Sequence, residues 1–256
     1  MNYHPPTCIH GATVGDCNDC AMEYAISHGL PNPSLRFHSG SMHNGSIYAE
    51  SYYLHGKEPG KSLYENYRWM PRLTMAMVDA MIGHLGMERG CRVLDFGCAR
   101  GYVVKALRWF GFEAFGVDIS EWAIRNADEE VRAYLNWSEN SPPLLPEEFD
   151  WVIAKDVLEH IPQCDDAITY LMETAKVGVF AVVPLSAEDG GRYVVPDYEE
   201  DVTHVHRLTL GTWARMFVRP GWRVESVYRV EGVKDNYYRP GWEAANGFIT
   251  ARRLQG

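Results

Sequence analysis

Apolar positions follow two rhythms along this chain. Between residues 61 and 86, Leu63, Tyr67, Met70, Leu73, Met77, Met81 and Leu85 recur every three or four residues, the spacing that lines one face of a helix. Pro71 lacks the amide hydrogen that a helix interior needs, so this helical region is expected to break near it. From Cys91 onward, short β-branched runs alternate with helical stretches: a strand at 92–95, a helix at 103–110, a strand at 114–118 and a helix near Trp122. The pattern continues with a strand at 149–154, a helix at 167–175 and a strand at 177–183. Strands alternating with helices imply a parallel sheet covered on both faces. Further on, 209–217 reads as helix and 222–230 and 247–252 as strands, the last after a loop rich in Tyr and Pro.

Residues 1–60 break this order. They hold six of the ten His and three of the six Cys, with turn-forming runs at 29–34 and 38–45, and read as a mostly irregular extension ahead of a domain at 61–256. Composition narrows the classes further. With 256 residues, 46% apolar and 23% charged, the chain is that of a folded protein whose core needs no disulfide staples. Its 34 Asp and Glu against 24 Lys and Arg give a net charge of −10, which disfavours a phosphate backbone unless a basic patch overrides it, and none stands out. Apolar runs stop near nine residues, as at 177–185, whereas about 20 are needed to span a bilayer, so no transmembrane helix is expected. The first residues lack the basic start and apolar stretch of a signal peptide, so a cytoplasmic protein with reduced or metal-bound cysteines is expected.

The densest chemistry lies at Val93-Leu-Asp-Phe-Gly-Cys-Ala-Arg-Gly-Tyr102, a strand that ends in an acid and turns through glycines into a helix. Gly97 and Gly101 let backbone approach a ligand closely. Asp118 follows Asp95 by 23 residues, at the end of the next strand, the placement of an acid that hydrogen-bonds ribose hydroxyls. Together, Leu94-Asp-Phe-Gly-Cys-Ala-Arg-Gly101, Gly116-Val-Asp-Ile-Ser120 and Phe149-Asp-Trp-Val-Ile-Ala-Lys-Asp-Val-Leu-Glu-His-Ile161 resemble the class I S-adenosylmethionine-dependent methyltransferases, over roughly residues 61–254. The resemblance implies an α/β fold: a Rossmann-like, doubly wound, seven-stranded sheet with its last strand antiparallel, and cofactor over the carboxyl ends of the first strands.

Carried over by position, Asp95, Gly97 and Gly101 border the methionine part of the cofactor, with Cys98 and Ala99 in the same turn. Asp118 holds the ribose, Ile119 packs near adenine, and Lys155, Asp156 and Val157 lie along the cofactor. Ala99 stands where the family usually has a glycine. The acid or amide expected after the third strand has no clear match, and Asn136 is the nearest substitute. Upstream, Glu50-Ser-Tyr-Tyr53 and Ser62-Leu-Tyr-Glu-Asn-Tyr-Arg-Trp69 resemble the lead-in helices of small-molecule and sugar methyltransferases. Tyr64, Tyr67 and Arg68 would close over the cofactor, with Arg68 pairing to its carboxylate; alternatively these aromatics only pack the helix on the sheet.

Methyl transfer from a sulfonium is an in-line displacement, so the protein must align the acceptor, exclude water and, for a hydroxyl, remove a proton. His160, and His204 in an insertion at about 185–208, are candidate bases with Asp201 as an orienter, although either histidine can equally be structural. The segments 192–198 and 233–240, with Lys234 and Arg239, suit a glycan, a nucleotide sugar or another anionic metabolite, or are plain surface loops. The expectation is methylation of a small-molecule or sugar-like acceptor, foremost at oxygen. A nucleic-acid methyltransferase is the alternative enzyme, disfavoured by net charge and by the lack of an Asn-Pro-Pro-Tyr motif. A non-catalytic cofactor-binding partner is the other, disfavoured by the intact Asp95, Gly97, Gly101 and Asp118.

Cys8, His10, Cys17 and Cys20 are spaced as Cys-x-His-Gly-x5-Cys-x2-Cys, which resembles small zinc knuckles. Four such ligands close a structural tetrahedral site, with His28 as a possible substitute; the other reading is reduced thiols in a flexible tail. Cys91, Cys98 and Cys164 read as ordinary buried thiols.

Overall fold

Strands β1 (Arg92–Phe96), β2 (Glu113–Asp118), β3 (Leu135–Trp137), β4 (Phe149–Lys155), β5 (Ala175–Pro184), β6 (Trp222–Val227) and β7 (Asn246–Arg253) form one sheet, in the order β3-β2-β1-β4-β5-β7-β6. The first five strands run parallel to one another, and β7 is antiparallel to both β5 and β6, as the resemblance implied. The computed structural model describes residues 45–57, 61–137 and 148–254. Cys8, His10, Cys17, Cys20 and His28 lie outside them.

Among the described residues, seven α-helices accompany the sheet: α1 (Glu50–Leu54), α2 (Pro71–Leu85), α3 (Tyr102–Trp109), α4 (Glu121–Arg125), α5 (Glu129–Arg132), α6 (Cys164–Thr174) and α7 (Leu210–Met216). Successive strand residues point to opposite faces, and the core divides accordingly. Val93, Trp151, Ile153, Phe180 and Val182 pack with Val78 and Met81 of α2 and Val104 and Leu107 of α3. Leu94, Val152, Ala154, Val179 and Ala181 pack with Ile168 and Leu171 of α6 and Trp213 of α7. Both faces are therefore covered, which is why the central strands read as continuous apolar runs. No helix among the described residues is long and apolar enough to cross a membrane.

The helical region expected over 61–86 is shorter in fact. Helix α2 starts at Pro71, where a missing amide hydrogen costs nothing, and stops at Gly86 in the left-handed conformation (φ 62°). Residues 61–70 are not helical, because they pair with the segment before them: Gly56 N donates to Tyr64 O at 2.9 Å and Tyr67 N to Tyr53 O at 2.9 Å, with Asn66 at φ 52°. The four-residue spacing of Leu63 and Tyr67 thus reflects packing on two different clusters, Leu63 with Tyr193, Val195 and Tyr198, and Tyr67 with Tyr52 and Tyr53. Tyr48, Tyr52 and Tyr53 are buried beside Ala123, and Ser120 Oγ donates to Tyr48 O at 2.5 Å, so residues 45–57 sit against the carboxyl end of β2.

Candidate active site

The carboxyl end of β1 runs through a tight turn into α3, with Gly97, Ala99 and Gly101 all at positive φ (80°, 48° and 72°). Gly97 N and Cys98 N both donate to Val117 O, at 2.9 and 3.1 Å, which ties the turn to β2. A Cβ at Gly97 would lie 2.5 Å from Val157 Cγ2, and one at Gly101 2.6 Å from Leu135 Cδ1, so each glycine admits a neighbouring side chain. Ala99 holds a left-handed conformation that costs an L-residue roughly 1–2 kcal/mol. Ala99→Gly is therefore expected to stabilise the fold by about 0.5 kcal/mol after glycine's extra unfolded-state entropy, read as a higher urea midpoint.

Two buried acids flank this turn. Asp118 Oδ1 accepts Ser120 N and Oδ2 accepts Ala99 N, both at 2.7 Å. Burial pushes its carboxyl up to about 6 despite those donors. Burial likewise pushes Asp95 up to about 7, with the Lys155 ammonium pulling down and Asp118 adding to the rise.

An aromatic cap lies over these ends. Tyr53 stacks on Trp122 (5.4 Å, 17°), Tyr67 stacks on Tyr102 (5.2 Å, 29°), and Tyr64 packs among Tyr52, Tyr53 and Tyr67. Ile119 joins the cap, whereas Arg68 is exposed and Asn136 is exposed in β3. The guanidinium in the cap belongs to Arg100, which covers Tyr102 and Trp122 and donates to Tyr67 O (3.1 Å) and Asn126 O (2.8 Å). Trp137 Nε1 donates to Ile119 O at 3.0 Å.

Beyond β4 the chemistry changes. Asp156, at φ 53°, bridges Lys155 Nζ and Lys234 Nζ, the latter at 2.7 Å. Burial opposes its ionisation, but the two ammoniums outweigh it and hold the carboxyl well below the usual range. Glu159 is 1% exposed; burial and the charge on Asp156 push it up, and its Oε2 has no hydrogen-bond partner among the described residues. His160 Nδ1 lies 2.7 Å from Thr203 Oγ1, and His204 Nδ1 lies 2.9 Å from Tyr198 O. The two imidazoles stand 4.7 Å apart, centroid to centroid. Burial lowers both: His160 falls to about 4, helped by His204, and His204 falls below its ordinary value. Asp201 Oδ2 is 3.9 Å from His204 Nε2, too far for a hydrogen bond. Donor atoms of Glu159, His160 and His204 lie within 4.8 Å of one another, a set that could hold a divalent cation.

A family model described as a methyltransferase domain matches residues 67–227, more than half of the chain. The chain belongs to this methyltransferase family. Curated relatives include ubiquinone biosynthesis O-methyltransferases of Azoarcus sp. (strain BH72), 31% identical over 108 residues, and of Methylococcus capsulatus (strain ATCC 33009 / NCIMB 11132 / Bath), 33% identical over 96 residues. These matches cover 40% and 35% of this chain, and the chain spans less than half of each relative's length, 46% and 40%. An S-adenosylmethionine-dependent methyltransferase from Archaeoglobus fulgidus shares the fold with a TM-score of 0.55 at 20% identity, over 71% of this chain and 94% of that one. The cyclase SpnF also shares it, with a TM-score of 0.53 at 17% identity, over 77% of this chain and 87% of that one.

The methyltransferase's own residues suit S-adenosylmethionine. Asp95 and Asp118 are buried acids pushed upward at the tips of neighbouring strands, and each gains from a ligand that brings hydroxyl donors or positive charge. Each Asp118 oxygen accepts one backbone N–H and retains a further lone pair. Sequence reasoning overlooked Arg100, Tyr52 and Thr203, and took Tyr198 only as part of the segment 192–198. The signal for Thr203 was present, since it sits between Asp201 and His204, but its partner His160 is 43 residues away.

Proposed function

We propose that this methyltransferase transfers the methyl group of S-adenosylmethionine to a hydroxyl of a small polar or sugar-like acceptor bound beside His160 and His204. The observation that carries the reading is the imidazole pair itself: His204 buried and His160 largely so, both held below the ordinary histidine range, and each Nδ1 engaged by a neighbour. Such a ring is neutral at pH 7 and can accept a proton at Nε2. The names of the partial-length relatives support oxygen as the methylated atom.

When bound, S-adenosylmethionine supplies an electrophilic methyl on a sulfonium. Asp118 would hold its ribose hydroxyls, with Asp95 and the turn 97–101 around its methionine part. The aromatic cap of Tyr53, Tyr64 and Tyr67 would exclude water from the transfer. His204 Nε2 would take the acceptor's hydroxyl proton, and the Asp201 carboxylate, 3.9 Å from that nitrogen, would stabilise the resulting imidazolium. Lys234, which lies over Tyr198 and Tyr237, supplies charge and stacking surface for the acceptor. A nucleic-acid acceptor is less well supported, since the chain carries a charge of −10.

The test is calorimetric titration with S-adenosylhomocysteine, followed by an acceptor screen with methyl-labelled S-adenosylmethionine. Failure to bind either cofactor form, by folded protein, would overturn the reading. Because Asp95 and Asp118 are raised in the free protein and bind as carboxylates, affinity is expected to strengthen as pH rises from about 5 to 7.5, with proton release on binding. Heats measured in buffers of different ionisation enthalpy check the release. We further propose, on ligand spacing, that Cys8, His10, Cys17 and Cys20 bind one structural zinc in a cytoplasmic protein. About one zinc per chain is expected by mass spectrometry, and Cys17→Ser should lose it while keeping methyl transfer.

A further inference from the structure

Asp201 and Thr203 stand in a hydrogen-bonded order that none of their sequence neighbours dictates. Asp201 is 4% exposed and its two oxygens take three donors: Thr203 Oγ1 at 2.5 Å and Thr203 N at 3.0 Å on Oδ1, and Tyr52 Oη at 2.9 Å on Oδ2. Thr203 has one hydroxyl proton, and it is committed to Asp201. The Thr203 oxygen can then only accept from His160 Nδ1, 2.7 Å away. His160 must therefore carry its proton on Nδ1 and present a bare Nε2 on the side of Glu159 Oε1, 4.0 Å distant. His204 reaches the same state by a different route, donating Nδ1–H to the carbonyl of Tyr198. Tyr52 belongs to the cap over the cofactor side, so the carboxylate is gripped from both halves of the site.

We propose that Asp201 and Thr203 are positioning residues, forming a relay that locks His160 in the Nδ1–H tautomer so that its Nε2 and that of His204 together face the acceptor. The proposal rests on the methyl-transfer reading for its purpose, but its geometry is testable without any acceptor. Two exchanges of hydrogen-bond sense follow. In Thr203→Val, His160 Nδ1 loses its acceptor; in Asp201→Asn, the amide can donate to Thr203 Oγ1 and turn the threonine hydroxyl toward His160 as a donor. Both free His160 to place its proton on Nε2.

The experiment is a long-range nitrogen–proton correlation spectrum of protein labelled with nitrogen-15 at histidine, stripped of cations with a chelator, with the His160 signals assigned by His160→Gln. The wild type is expected to show the Nδ1–H pattern, Thr203→Val and Asp201→Asn the Nε2–H pattern, and Thr203→Ser the wild-type pattern. With an acceptor in hand, Thr203→Val should lower kcat about tenfold with cofactor affinity unchanged, and Thr203→Ser should restore it. A wild-type Nε2–H pattern, or an unshifted pattern in both substituted proteins, overturns the relay. A shifted tautomer in a protein that methylates nothing leaves the relay standing and removes the proposed function instead.

Discussion

Replacing Asp118 with alanine is expected to weaken S-adenosylhomocysteine binding by about 3 kcal/mol, on the order of 100-fold in Kd. The estimate counts two charge-assisted hydrogen bonds to ribose hydroxyls, each worth about 1.5–3 kcal/mol. The same carboxylate also accepts Ala99 N and Ser120 N, so Asp118→Ala removes a brace of the turn as well as a ligand contact. Asp118→Asn separates the two effects, because its carbonyl oxygen can still brace one of those amides while the lost charge still weakens the hydroxyl contact. Calorimetry on both proteins, with circular dichroism to establish folding, decides the matter. An unchanged Kd in the folded asparagine variant would remove Asp118 from the ribose site.

Replacing His204 with alanine is expected to lower kcat by about 100-fold or more while changing cofactor Kd less than twofold, the range of general-base removal. The pH dependence has a definite sign. A base must be neutral to accept a proton, and burial lowers the His204 imidazole, as it lowers His160 to about 4. Wild-type kcat should therefore fall at a lower pH on acidification than the 6.5 at which an ordinary histidine is half protonated. A kcat that halves near pH 7, or one that survives His204→Ala, would show that another group takes the proton.

Much of the candidate cofactor half of this site was legible in the sequence because it is local. Asp95, the turn 97–101 and Asp118 lie within 24 residues on a strand, a turn, a helix and the next strand, and their chemistry follows from that order. The departure at Ala99 was legible too, but its cost was not, since φ 48° is a property of the folded turn. The cap misled the periodicity reading: Leu63 and Tyr67 fall on a helical spacing, yet residues 64–67 pair antiparallel with residues 53–56, and Tyr64 and Tyr67 pack among Tyr52 and Tyr53. The acceptor half depends on contacts across long stretches of chain, such as His160 with Thr203 over 43 residues and Asp156 with Lys234 over 78. A residue list supplies the partners in such pairs but not the loop path that brings them together. Arg68 illustrates the limit: a plausible cation in the segment before α2 is exposed, while Arg100, inside the turn between β1 and α3, fills the cap.

The position of β7 governs how the polypeptide acquires its shape. It is the last of the seven strands to be synthesised, yet it lies between β5 and β6 and is the strand to which β6 is hydrogen-bonded. Until residues 246–253 have left the ribosome, β6 lacks a template and one edge of β5 stays open, although everything from β1 to β5 can already assemble. The nascent chain would then carry strands β1 to β5 in near-final form beside an unsealed edge, a state that invites strand pairing between chains.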